Sequence, residues 1–240
     1  MRLFPFLLVA VMGTPLAAAA IMGREAGHVR VLFGGDTCYG ESYGGSPVVA
    51  KGYDYSIANL APLLRAVDFR VLNLETPLTL RRATALPGKD YLHYSDPVKL
   101  PAVFAAWRPM AFSLANNHTL DQGSAGLDDT FTALRTAGIE WFGAGRNLTE
   151  AARPLLEELR VGDRTITLAV FGAFEYRPRY DADFHFYAGT DRPGAAPLAS
   201  ARRAIADLRR HVPDAFVVWF VHWGENYRWK NRAQAATARA

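Results

Sequence analysis

The sequence holds a single cysteine, Cys38, in 240 residues. An intrachain disulfide is therefore excluded, and this residue does not decide the redox compartment. There is little net charge: the formal value is +4, and arginines such as Arg81, Arg82, Arg202, Arg203, Arg209 and Arg210 are scattered. With no basic stripe interleaved with aromatics, nucleic acid is excluded as the expected partner. A mildly basic surface instead favours an anionic substrate or polymer. No internal repeat, no interdomain linker and no His-x-His pair is present. The apolar N-terminal run, residues 3–12, is too short to cross a bilayer.

What is present is ordinary globular composition, 50% hydrophobic and 21% charged, enough for one or at most two domains with a large core. The start, MRLFPFLLVAVMGTPLAAAA, joins one Arg, the apolar run and a small-residue stretch. Ala18-Ala19-Ala20 offers an A-x-A type cleavage site. The expectation is a secretory signal over residues 1–20 and an exported domain over 21–240, in the periplasm or cell envelope, with no transmembrane helix in the mature chain. No cysteine follows the run, so a lipid anchor is not expected.

Short β-branched and apolar runs at 28–36, 69–75, 110–116 and 214–224 read as buried strands. Helical spacing marks 57–67, 98–107, 126–138 and 197–211, with Gly138 placed as a C-cap. Residues 139–145 read as a short strand and glycine turn, and Gly162-Asp163 between two β-type runs predicts a hairpin over 155–173. Residues 78–96 and 174–194 read as long loops. Strands alternating with helices predict a layered α/β fold, α/β/α or αββα in type, with a mixed but largely parallel central sheet. Such sheets bind ligands beyond the carboxyl ends of their strands.

Those ends carry polar side chains. Asp36 lies in GGDTC, Asn73 and Glu75 in NLET, Asn116, Asn117 and His118 in ANNH, and His222 in VHWGEN. Two carboxylates, an amide oxygen and imidazoles at one rim repel or compete unless a cation lies between them. Oxygen and imidazole donors suit Mn²⁺, Fe²⁺, Zn²⁺ or Mg²⁺. Two such ions about 3.5–4 Å apart clamp a phosphoryl group and acidify a water.

The segments GGDTC, NLETPLT, SLANNHTLDQGSAGLDDT, FGAGRN and VVWFVHWGENY, in this order, resemble the capsule-synthesis CapA family of poly-γ-glutamate biosynthesis proteins, itself similar to the calcineurin-like metallophosphoesterases. The resemblance covers about residues 28–230. It implies that Asp36, Glu75, Asn117 and His222 are metal ligands, Glu75 bridging. It implies that His118 contacts the scissile group or protonates its leaving oxygen. Asn73, Asn116, Asp121 and Glu225 are expected to orient these groups, with Asp121 equally readable as a cap of the helix that begins near Gly123; Trp223 and Tyr227 are expected either to line the pocket or to pack. The resemblance also implies departures. Cys38 stands where the superfamily has a histidine two residues after its first aspartate, and it is not counted as a ligand. No G-H-x-P-H motif follows HWG, so the chain is expected to be a C-terminally truncated member with an incomplete sheet and weakened metal binding.

Three functions follow as expectations. The first is a cell-envelope, metal-dependent phosphoesterase-type hydrolase tied to capsule or poly-γ-glutamate production, acting on a phosphoryl-containing small substrate or an anionic polymer, within a capsule-synthesis complex. Cleavage or transfer at a γ-glutamyl amide is its enzymatic rival. The second is a non-catalytic polymer-binding or scaffold protein with a degenerate metal site. The third is a sugar-binding module using Trp223, Tyr227 and Trp229.

Overall fold

The computed structural model describes residues 21–22, 27–42, 46–83, 86–225, 228 and 231–239. The expected signal segment, Tyr227 and Trp229 lie outside the described residues. The strands are β1 (Ile21–Met22), β2 (Val31–Thr37), β3 (Phe69–Leu74), β4 (Met110–Ser113), β5 (Glu140–Phe142), β6 (Ala144–Gly145), β7 (Leu155–Val161), β8 (Arg164–Phe174), β9 (Gly194–Ala195) and β10 (Phe216–His222). The helices are α1 (Pro47–Lys51), α2 (Tyr55–Ala58), α3 (Ala61–Arg65), α4 (Lys99–Ala105), α5 (Gly123–Ala137), α6 (Leu148–Ala151), α7 (Pro178–Ala182), α8 (Leu198–His211) and α9 (Arg232–Arg239).

The strands form two four-stranded sheets rather than one. The first, in order β2-β3-β4-β5, is wholly parallel. The second, β1-β7-β8-β10, is mixed: β7 and β8 form the expected antiparallel hairpin, and β10 lies parallel to β8. Side-chain alternation explains the stacking. Phe69 and Val71 of β3, Ala111 of β4 and Phe142 of β5 pack with Leu155, Leu159, Leu168 and Val170 of the other sheet. The intervening residues Leu72, Leu74 and Phe112 face outward onto Leu64, Phe104, Phe131 and Leu134 of the helices. On the second sheet, Ala169, Phe171 and Ala173 face outward onto the α8 side chains Ile205 and Leu208. The layers are therefore helix, sheet, sheet, helix. Both faces of β3 are covered, so FRVLNL is buried at every position and reads as a run instead of an alternation.

Local chemistry adjusts the expected boundaries. The helix expected over 57–67 is two short ones, because Pro62 occupies the first turn of α3 and cannot donate back to α2. The strand expected over 110–116 stops at Ser113. Beyond it the Thr119 hydroxyl donates to the Leu114 and Asn116 carbonyls and turns the chain out of the sheet. Helix α5 ends at Gly138, which is left-handed at φ 65° and returns its N–H to Arg135 and Leu134, as the glycine predicts. Gly172 of β8 lies against Gly143, the residue after β5. A Cβ on Gly172 would lie 2.8 Å from the Gly143 Cα, so neither position has room for a side chain. Among the described residues no helix is long and apolar enough to cross a membrane.

Candidate metal centre

Register carries three polar groups to one place. Asn73 continues the inward phase of Phe69 and Val71, and it pairs with Asp36 on β2 and Ser113 on β4. Asp36 reaches that register through a bulge between Phe33 and Asp36, in which Gly34-Gly35 supplies the extra residue. A side chain on Gly34 would strike Leu72 at 2.4 Å, which accounts for glycine there. From the opposite sheet, His222 continues the inward phase of Val218 and Phe220. The site thus lies where the space between the two sheets opens at their strand ends. The expectation of one shared sheet edge is corrected in this respect: Asp36, Glu75 and Asn117 come from one sheet and its loops, His222 from the other.

Asp36, Glu75 and His222 each offer a donor atom, all within 4.8 Å of one another. His222 Nδ1 is 3.4 Å from Asp36 Oδ1, and its Nε2 is 3.7 Å from Glu75 Oε1 and 2.6 Å from Asn117 Oδ1. Asn73 Nδ2 donates to Asp36 Oδ1 at 2.7 Å and lies 3.3 Å from His222 Nδ1. Asn116 is fully buried. Its Nδ2 donates to Asn73 Oδ1 and the Leu74 carbonyl, and its Oδ1 accepts from the His118 N–H. Asn73 and Asn116 are therefore a hydrogen-bonded floor that holds Asp36 and His118. The hydroxyl of Tyr180 lies beside the Asn117 side chain, a neighbour with no sequence signal.

His118 stands at the edge of this cluster, with Nε2 4.0 Å from Glu75 Oε1 and Nδ1 2.6 Å from Asp121 Oδ2. Asp121 is not a simple helix cap. Its wholly buried carboxylate also accepts from Lys89 Nζ at 2.5 Å and from the His93 N–H at 2.6 Å. The His93 ring stacks on His118 at 3.9 Å. Lys89 and His93 come from the 78–96 loop and were missed, because nothing periodic marks them. The unusual length of that loop was the available signal. His93, His118 and Asp121 also group closely enough for an ion. The Lys89 ammonium already takes the cation's position on Asp121, which leaves the Asp36 cluster as the better-suited site.

The electrostatics suit the binding of a cation. Burial, then the neighbouring Asp36 carboxylate, pushes Glu75 up to about 7. Contact with His222, joined by the Asn73 hydrogen bond and opposed by burial, holds Asp36 below the ordinary carboxylate range. Burial lowers His118, and it lowers His93 to about 4. A carboxylate that resists ionisation first because of burial and then because of a second carboxylate is in the condition that a divalent cation relieves. The donor set, two carboxylates, an amide oxygen and an imidazole, suits a hard or borderline ion.

One expected residue stands apart, and Cys38, not counted as a ligand, stays outside the cluster as well. Glu225 is exposed and pairs with Arg228 at 2.7 Å, so its carboxylate is spent on the surface instead of among the ligands. The Cys38 thiol accepts from Thr76 Oγ1 at 3.6 Å and does not join the donor cluster. Although Cys38 is exposed as a residue, desolvation of its thiol raises it, which disfavours the thiolate a metal needs. Half-buried Trp223 accepts at its carbonyl from Gln234. A cavity of about 350 Å³ adjoins Asp121, walled by Leu86, Leu120, Phe184 and Phe186 with Arg192.

Two stacked sheets between helices, with oxygen and imidazole donors gathered where their strands end, define a metallophosphoesterase-like α/β protein. More narrowly, the chain belongs to the bacterial capsule synthesis protein PGA_cap family, whose model matches residues 30–240. It is 35% identical over 169 residues to a probable polyglutamine synthesis accessory protein of Mycobacterium tuberculosis, covering 68% of this chain and 43% of that one. It is 26% identical over 218 residues to the capsule biosynthesis protein CapA of Bacillus anthracis, covering 88% and 50%. The PGA biosynthesis protein CapA of Bacillus subtilis is 26% identical over 179 residues, covering 74% and 44%. The chain spans half or less of the length of these relatives.

Proposed function

We propose that this chain acts in capsule or poly-γ-glutamate synthesis at the cell envelope, as an exported, metal-dependent hydrolase of the phosphoesterase type. The observation that carries the reading is the convergence of Asp36, Glu75 and His222 from two different sheets. Asp36, Glu75, Asn117 and His222 would hold one or two divalent ions, Mn²⁺, Fe²⁺, Zn²⁺ or Mg²⁺. When bound, such an ion polarises a phosphoryl oxygen and lowers the pKa of a water.

The remaining chemistry belongs to the side chains. His118 presents Nε2 toward Glu75, at the edge of the donor cluster, and this atom takes a proton from the attacking water and then passes it to the departing oxygen. Asp121 fixes the ring through Nδ1 and stabilises the imidazolium that forms. Asn73 and Asn116 hold the carboxylate and the histidine in register. The family's name and the names of its relatives support the capsule context, with an anionic polymer and a capsule-synthesis complex as partners.

A second reading, a non-catalytic polymer-binding or scaffold protein, is favoured by one observation: the Cys38 thiol, at the position where the resemblance implies a histidine, lies outside the donor cluster. The two readings separate on metal analysis of the purified protein, followed by turnover of a generic phosphodiester with Mn²⁺. Bound metal that is lost in Asp36→Ala and His222→Ala, together with turnover, supports the hydrolase. Metal-free protein without turnover refutes it in favour of the scaffold.

A further inference from the structure

Lys89 is a buried ammonium that the proposed chemistry leaves without a role. Its side chain is 5% exposed, and the Asp121 carboxylate it meets is 0% exposed. Lys89 Nζ donates to Asp121 Oδ1 at 2.5 Å and to the Tyr91 carbonyl at 3.0 Å, and the Phe186 ring lies 5.5 Å from it. It is also 3.1 Å from His118 Nδ1. That nitrogen cannot serve both neighbours in the same way. An ionised carboxylate only accepts hydrogen bonds. At 2.6 Å from Asp121 Oδ2, Nδ1 must therefore carry the hydrogen, and the ammonium spends its own hydrogens on Asp121 and Tyr91.

We propose that Lys89 is a positioning residue for His118: its ammonium keeps Asp121 an acceptor-only carboxylate, which places the ring proton on Nδ1 and presents a bare Nε2 to the Glu75 side of the site. A buried carboxylate without a partner cation takes up a proton or recruits one from its neighbour. Either event would change whether the Nε2 of His118 that faces the site carries a hydrogen. Lys89 acts from the 78–96 loop, so the same contact pins that loop against the histidine. The inference rests on the role assigned to His118 above.

The test is nitrogen-15 NMR of metal-free protein labelled at histidine, with His118 assigned through His118→Gln. Two-bond proton–nitrogen correlations report which ring nitrogen carries hydrogen. The wild type should show the Nδ1–H, bare Nε2 pattern at neutral pH. Lys89→Met should lose it, as the carboxyl donates to Nδ1 or the ring takes a second proton, whereas Lys89→Arg should keep it. An unchanged pattern in folded Lys89→Met overturns the proposal. Removing one partner of a buried pair can unfold a protein, so Lys89→Gln, neutral but still able to donate to Asp121, is the second variant. Its retention of the wild-type pattern is equally fatal. With Mn²⁺ and a generic phosphodiester, Lys89→Gln should lower kcat by about tenfold with KM and Mn²⁺ affinity little changed. A wild type that turns over nothing refutes the hydrolase reading and leaves the tautomer result to stand or fall alone.

Discussion

Glu75 supplies the sharpest test of the metal centre. Its carboxyl is raised from 4.5 to about 7, chiefly by burial and then by Asp36. Its side chain is only 16% exposed, so solvent screens the effect little. A folded-state value above the unfolded one means that the protonated form stabilises the fold. That contribution is complete below the unfolded value and is lost as pH rises through about 7. The shift corresponds to about 3 kcal/mol of stability lost by metal-free protein across that window. His93 and His118 work the other way. Their lowered values mean that stability falls as pH drops below the ordinary histidine range, toward about 4 for His93. The slopes oppose each other, so a single pH–stability curve decides nothing. The difference between wild type and Glu75→Gln does. Urea unfolding followed by tryptophan fluorescence, in chelator, should show Glu75→Gln gaining about 3 kcal/mol on the wild type between about pH 4 and about pH 8. Saturating Mn²⁺ should remove the wild-type deficit and add about 3 kcal/mol at a hundredfold excess over Kd, but not in the variant. Parallel curves for the two proteins in chelator would refute the reasoning, because Glu75 would then feel neither burial nor Asp36.

Three further outcomes are expected. His222→Ala should weaken Mn²⁺ binding at least tenfold by calorimetry while far-ultraviolet circular dichroism stays unchanged, since His222 is the last residue of β10 and not part of the inter-sheet core. Gly172→Val should cost roughly 1–3 kcal/mol in urea and weaken Mn²⁺ binding with it, because its Cβ would meet the Gly143 Cα at 2.8 Å and push the sheets apart. Glu225→Ala should change stability by no more than about 0.5 kcal/mol and leave Mn²⁺ binding unaltered, because its partner is the surface residue Arg228.

Much of the architecture was legible because its signals are local. The Gly162-Asp163 turn announced the β7–β8 hairpin, Gly138 closed α5, and polar residues marked where β2, β3 and β10 leave their sheets. The division into two sheets was not legible. Strand pairing is a long-range choice, and a run such as FRVLNL is equally apolar in the middle of one sheet or between a sheet and helices. The candidate ligands Asp36, Glu75, Asn117 and His222 could be picked out because they end strands. Lys89, His93 and Tyr180 could not, since they reach the site from irregular or short segments where no periodicity points inward. Glu225 illustrates the opposite error. It follows the HWG segment closely, but beyond Gly224, at φ 100°, its carboxylate is spent on Arg228 at the surface.

The placement of the donors on opposing sheets has a mechanical consequence. Whatever occupies the rim clasps two sheets that the inter-sheet apolar core, the close pair Gly143 and Gly172 and the His222–Asn117 hydrogen bond already join. Ligation there is also cohesion, and a guest ion should slow the peeling of β10 from its neighbour under load. Cargo at this seam would be felt as stiffness before it was ever seen as product.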